Sequence, residues 1–189
     1  METPPVLADF VHTCMQAVRG EDPRATIHTA MRALFEDPAA LAAGVPAFTD
    51  DAVPTSPHGF RLGGEALLHR ADDLSVMVLD TLPGVVQPPH DHHMVAMIGV
   101  FEGCEEQRFW TRTVEGIEAA AGRLLETGEI MVLGERAIHA ISAPPHQTAR
   151  AIHVYLGDIY GAERSVFDPE SLEEHRFSAA RYDEFCRAA

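Results

Sequence analysis

Cysteine is scarce in this chain and widely spread: Cys14, Cys104 and Cys186 are the only three in 189 residues. An odd, scattered set builds neither a disulfide framework nor a zinc knuckle. Basic residues are also few, 14 Lys and Arg against 29 Asp and Glu, which leaves a formal charge of −15. A field of that sign repels phosphate backbones and anionic lipid, so neither nucleic acid nor a membrane surface is expected as a partner. No run approaches the roughly 20 apolar residues of a membrane span. The opening stretch METPPVLADFVHTCMQAVRG has no basic start and no long apolar run, so it does not read as a secretory signal. A reducing cytoplasm is the expected compartment. What remains is an ordinary globular composition, 46% apolar and 23% charged, with length for one domain and a real core. Histidine stands out, with 11 residues.

The first part of the chain reads as helices. Thr3-Pro4 and Asp22-Pro23 look like helix starts, and Asp37-Pro38 ends the second helix or restarts a short one. Leu7, Phe10, Val11, Cys14, Met15 and Val18 fall on one helical face; Ile27, Met31, Leu34 and Phe35 form the next stripe. A connector rich in Pro, Ala and Asp follows, to Gly59. From there the signals are strands. Leu74 to Asp80 alternates, and Met94 to Phe101 is an apolar run. Further strands are predicted at Glu106–Val114, Arg123–Leu125, Ile130–Leu133, Ile138–Ala143 and Ala149–Leu156, most of them separated by Gly or Pro. Short strands at regular spacing predict an all-β sandwich or barrel. The reading divides into residues 1–59 as helices and connector packing on the barrel, 60–168 as the barrel, and 169–189 as a tail in which Ser178 caps a last short helix.

Chemistry concentrates at Pro88-Pro89-His90-Asp91-His92. In an extended chain His90 and His92 point to one face, and two imidazoles there can share a metal ion. His139, in the apolar strand Ala137–Ile141, is the best candidate for a third ligand. His153 and Tyr155 share a face of the strand Arg150–Tyr155. His93 points away from the other two. Glu102, Glu105 and Glu106 form an acidic cluster near Gly103 that reads as solvated.

These stretches resemble the two signatures of the cupins, small jelly-roll barrels also called double-stranded β-helices. Gly84, His90, His92 and Gly103 fall in register with the first, and Gly128 and His139 with the second; Ala96 stands at the usual Glu position. Adding His153-x-Tyr155, the chain resembles the cysteine dioxygenase type I family, over about residues 62 to 168. Ala151 replaces that family's serine, and no cysteine is placed to link to the tyrosine. The resemblance implies an all-β cupin barrel with an N-terminal helical segment, and Fe(II) held by His90, His92 and His139. It implies oxidation of a small thiol of the cysteine or 3-mercaptopropionate type to a sulfinate with O2. His153 and Tyr155 would then donate hydrogen bonds beside the metal. The family's carboxylate-binding arginine has no clean match; Arg70 is the expected anchor, with Arg61 as substitute. A homodimer is implied by resemblance alone.

The metal set does not fix the substrate. Another metal-dependent cupin enzyme, an isomerase or a dioxygenase acting on carbon, stays open, as does a non-enzymatic cupin that binds a small ligand.

Overall fold

Aspartate–proline pairs open two of the three N-terminal helices. In the computed structural model, which describes residues 3–188, α1 spans Pro5–Ala17, α2 Pro23–Leu34 and α3 Pro38–Gly44. The Asp22 and Asp37 carboxylates each accept a backbone N–H three residues on, at 2.9 Å. Proline follows at the first helical position, where an N–H has no partner to lose. α1 departs from expectation. Its cap position is Pro4 and the helix starts at Pro5, so no side chain closes the first turn and Thr3 does not cap it.

Among the described residues fourteen strands follow. They are β1 (Gly63–Ala71), β2 (Leu74–Thr81), β3 (Val85–Val86), β4 (His90–Asp91), β5 (Ala96–Glu102), β6 (Cys104–Arg112) and β7 (Ile117–Ala119). Then come β8 (Arg123–Glu126), β9 (Ile130–Leu133), β10 (Ile138–Ser142), β11 (Ala149–Tyr155), β12 (Ser165–Phe167), β13 (Glu174–Arg176) and β14 (Arg187–Ala188). A last helix, α4 (Ala179–Phe185), starts where Ser178 Oγ accepts the Arg181 N–H at 3.2 Å. The sequence pattern placed the long strands other than β1. It missed β1 and the short β3, β4, β7, β12, β13 and β14, several of which are only two or three residues long and too brief to carry a period.

One sheet runs β1-β2-β11-β5-β9. The other has β10 at its centre, with β6 along one edge and β3 and β4 sharing the other. Pro88-Pro89 separates β3 from β4, because two residues without an N–H cannot continue the ladder. Taking β3 with β4 as one broken strand, the first sheet has the order β2-β11-β5-β9 and the second β4-β10-β6-β8. Apart from the β6–β8 pair, successive strands thus alternate between two facing sheets, and β11 returns beside β2. That is a jelly roll.

β2, β5 and β11 are buried along nearly their whole length, because both faces of their sheet are covered. Val76, Val78, Met97, Phe101, Ile152 and Val154 meet the helices, whose Leu7, Phe10, Met31 and Phe35 complete that layer. Gly99 shares this face, and a Cβ there would lie 2.6 Å from the Phe35 ring. Met77, Ile98, Val100, Ala151 and Tyr155 point the other way, into the barrel. The segment read as a tail also adds to the second sheet: β13 pairs with β12, which itself pairs with β4, and β14 pairs with β3. Among the described residues no helix is long and apolar enough to cross a membrane.

Candidate metal centre

His90 on β4 lies directly opposite His139 on β10. That register, invisible in either strand alone, sets two imidazoles side by side. His92 follows two residues after His90 in extended chain and turns to the same face. One nitrogen from each of the three rings lies within 4.8 Å of the other two, and all three residues are buried. Asp91, between them, faces the opposite way. Its carboxylate accepts the Ser165 N–H at 2.7 Å and lies 3.3 Å from Arg112 Nη2. This locks the His90–His92 segment against the start of β12. The chain turns at His93, whose φ is +57°; its half-exposed ring bonds the Glu163 carbonyl at 2.8 Å.

The three rings fit a metal ion. His90 Nδ1–H donates to the Pro88 carbonyl at 3.0 Å, which leaves Nε2 bare. His139 Nδ1–H donates to the Gln107 side-chain oxygen at 2.8 Å, with the same result. His139 Nε2 stands 3.3 Å from His92 Nε2, the spacing of two nitrogens about 2.1 Å from one ion at an angle near 100°. Fixing a ligand's tautomer through its far nitrogen is how metal-binding histidines are oriented. Burial, with the neighbouring imidazoles and Arg164 adding to it, holds His92 and His139 well below 6.5 and lowers His90 to about 3. All three are therefore neutral near pH 7, as ligation demands.

His153 and Tyr155 enter the same interior from β11. Tyr155 packs edge-on against His92, ring centroids 5.0 Å apart, and its hydroxyl lies 3.0 Å from His153 Nδ1. Burial lowers His153 to about 3 and raises Tyr155, so both are neutral. His153 Nε2 is buried without a hydrogen-bond partner.

A cavity of about 750 Å³ opens onto His90, His92, His153 and Tyr155. Arg70 does not line it. A bulge between Leu67 and His69 shifts the register of β1, and Arg70 turns outward to a forked pair with Asp158, both bonds 2.8 Å, with its side chain 47% exposed. Arg61 is exposed as well. Two arginines that sequence reasoning missed line the cavity: Arg176, which pairs with Glu163 at 2.8 Å, and Arg164. Arg164 Nε donates to the Ile159 carbonyl at 3.2 Å and its guanidinium stacks on Phe177, 3.3 Å from the ring centroid. Among the described residues it forms no ion pair. No periodicity marks its loop, so the sequence offered no signal for it. Tyr182, on α4, sets its ring edge-on to His90 at 5.3 Å and lines the cavity.

A second correction concerns the acidic cluster read as solvated. Glu105 is fully buried, at 0% exposure. Its place in the period-two series Glu105-Gln107-Phe109 was the available clue.

The barrel is thus a jelly roll with a three-histidine cluster at its heart. No family model matches the chain. Solved structures of similar shape include a DMSP lyase from Ruegeria pomeroyi, 16% identical over 84% of this chain and 78% of that one, with a TM-score of 0.49. Another is an RmlC-like cupin family protein with a double-stranded β-helix fold from Methanocaldococcus jannaschii, 12% identical over 61% of this chain and 92% of that one, TM-score 0.45. A third is an oxalate oxidase, 18% identical over 50% of this chain, TM-score 0.42. The chain spans 51% of the oxalate oxidase chain and 31% of an 11S globulin from Wrightia tinctoria that it also resembles. At these scores the fold assignment rests on the strand order itself.

The buried histidines carry a prediction for the metal-free protein. His90, His92, His139 and His153 are depressed below their ordinary 6.5 by burial, so the unfolded chain binds more protons than the folded one below that pH. Their stabilising contribution is full above pH 6.5 and drains away as pH falls toward 3. Burial raises Glu105 to about 8, which works in the opposite direction, but one group against four. Unfolding free energy from urea titrations should fall by about 2–3 kcal/mol between pH 6.5 and 5.5. A flat profile would mean that the rings accept protons in place.

Proposed function

We propose that the protein is a metal-dependent oxygenase that oxidises a small carboxylate-bearing thiol to a sulfinate with O2, using Fe(II) held by His90, His92 and His139. The observation that carries this reading is the meeting of two groups in one barrel. His90 and His139, their Nε2 atoms bared by fixed tautomers, gather with His92, and the hydrogen-bonded His153–Tyr155 pair of β11 packs against His92 at the cavity. A facial set of three neutral donors leaves positions open, and Fe(II) bound there supplies Lewis acidity and a site for dioxygen. The reaction balances without a further reductant. A thiolate and O2 give a sulfinate; both oxygen atoms go to sulfur, which loses the four electrons that dioxygen gains.

The protein's own groups have distinct tasks. Arg164 is placed to receive the substrate carboxylate, because its guanidinium lines the cavity with no ion-pair partner among the described residues and can take a carboxylate with forked geometry. Tyr155 holds a proton at its hydroxyl. With His153 Nδ1–H donating to the phenol oxygen, that proton is free to turn toward reacting oxygen or sulfur. Tyr182 and Phe177 wall the cavity and limit water.

The test is oxygen uptake after anaerobic Fe(II) loading, with a panel of thiols and thiol-free analogues. Thiol-dependent uptake is expected. Thiol-independent uptake would instead favour a carbon-oxidising enzyme, and ligand binding without uptake a non-enzymatic role. Arg164→Ala should raise KM for 3-mercaptopropionate about ten- to a hundredfold, the loss of a charge-assisted pair. Cysteamine, which has no carboxylate, should change less than about threefold by the same reasoning. Arg70→Ala should leave the ratio of the two efficiencies unchanged, because its partner is Asp158. A shift in that ratio with Arg70→Ala, and none with Arg164→Ala, would reverse the assignment.

A further inference from the structure

Glu105 is a buried acid without a cation. It sits on the interior face of β6 opposite Leu125, with no accessible surface. One carboxylate oxygen accepts from Gln107 Nε2 at 2.9 Å; the other, Oε1, has no partner at all. Among the described residues no Lys or Arg pairs with it. A buried carboxyl so poorly satisfied weakens the metal-free barrel. Burial pushes it up to about 8.

Its single bond leads to the metal centre. Gln107 lies opposite Ile141 in the β6–β10 ladder, on the diagonal to His139, close enough for side chains to meet. The amide takes the Glu105 oxygen at its nitrogen end and the His139 Nδ1–H at its oxygen end. An amide has one donor end and one acceptor end. An ionised Glu105 can only accept, so it turns the Gln107 nitrogen toward itself and the oxygen toward His139. His139 must then carry its proton on Nδ1 and offer Nε2 to the cluster it forms with His90 and His92.

We infer that Glu105 is a positioning residue for the metal centre: through Gln107 it sets the His139 tautomer and supplies a negative charge to a site whose three ligands are neutral. The inference rests on the reading that the triad holds a divalent metal. It gives an otherwise costly acid a purpose. The carboxylate offsets one unit of the ion's charge from outside the coordination sphere and leaves the open face free. A divalent ion at the triad in turn favours the ionised carboxyl.

The test measures Co(II) binding under argon, by the visible absorption of the bound ion and by competition with a chelator. The proteins are wild type, Glu105→Gln and Gln107→Leu. Thermal melts of the metal-free forms run alongside. Both variants should bind Co(II) about 10- to 100-fold more weakly, the usual range for a group behind a metal-bound histidine. Metal-free Glu105→Gln should melt at or above the wild-type temperature, because an uncompensated acid has gone. A merely structural residue would lower the melting temperature instead, and that result overturns the inference. So does Glu105→Gln affinity within threefold of wild type. Weakening in Glu105→Gln alone, with Gln107→Leu unaffected, overturns the relay. Should Glu105→Gln not fold, Gln107→Leu decides, since unchanged affinity there overturns the relay as well. A wild-type protein that fails to bind Co(II) sinks the metal reading under the proposed function, a separate and recognisable outcome.

Discussion

His139→Ala is expected to remove bound metal almost completely while leaving a folded barrel. His139 is the ligand with the most support: its Nδ1–H is held by Gln107 at 2.8 Å, and its Nε2 is 3.3 Å from that of His92. Losing it removes one of three donors and the brace that orients the site. Outer partners of a metal ligand are worth about 10- to 100-fold in affinity, so loss of the ligand itself should exceed a hundredfold. The fold should survive, because the core lies elsewhere. The helix-facing layer and the barrel's aliphatic interior do not depend on this ring. The variant leaves the Gln107 oxygen unsatisfied, a cost of about 1–3 kcal/mol. Metal content per chain after gel filtration, beside a circular dichroism spectrum, checks both halves. Stoichiometric metal in folded His139→Ala would strike His139 from the ligand set. The same measurement on His90→Ala and His92→Ala should give the same loss.

The largest effect on stability is expected from Arg150→Ala. Arg150 lies opposite Asp80 in the β11–β2 ladder, on the face covered by the helices. Its guanidinium bonds Asp80 Oδ1 at 3.1 Å, Glu102 Oε2 at 3.0 Å, and the Val45 and Pro46 carbonyls at 3.0 Å each. It also lies over the Phe101 ring at 5.0 Å. One side chain thus ties the chain leaving α3 to the sheet. Burial already raises Asp80, against the pull of Arg150; without the arginine a buried carboxylate keeps only the Phe48 N–H, at 3.4 Å. Breaking such a pair from one side costs about 3–5 kcal/mol. Arg150→Lys should rescue little, because an ammonium cannot serve four acceptors spread across a planar fork. Denaturant unfolding at neutral pH measures it. A loss below about 1 kcal/mol would place the pair among ion pairs of surface strength.

The difference between Arg150 and Arg70 shows where reading a sequence stops. Both lie in strand-like segments, and of the two only Arg70 reads as a site residue. Arg150 faces the helices because the parity of β11 sends residues 150, 152 and 154 outward and 151, 153 and 155 inward. That parity is a local property, and it placed His153 and Tyr155 together correctly. Arg70 follows a bulge, which breaks parity, and its carboxylate partner comes from a loop 88 positions later.

By itself the sequence determined what is periodic or local in this protein. Aspartate–proline pairs start two helices, alternation marks the long strands, and the two-residue spacing of His90 and His92 puts both on one face. An extended chain has only two faces and a helix start needs only its own first turn, so neither depends on distant residues. Tertiary structure decided the rest. The β4–β10 register sets His139 beside His90, the β6–β10 diagonal brings Gln107 to His139, and the packing of β6 buries Glu105. The returning segment after β11 carries Arg164 and Tyr182 to the cavity. Each of these joins residues far apart in the chain, and pairing between strands is fixed by the closure of the whole barrel, which no short stretch of sequence encodes.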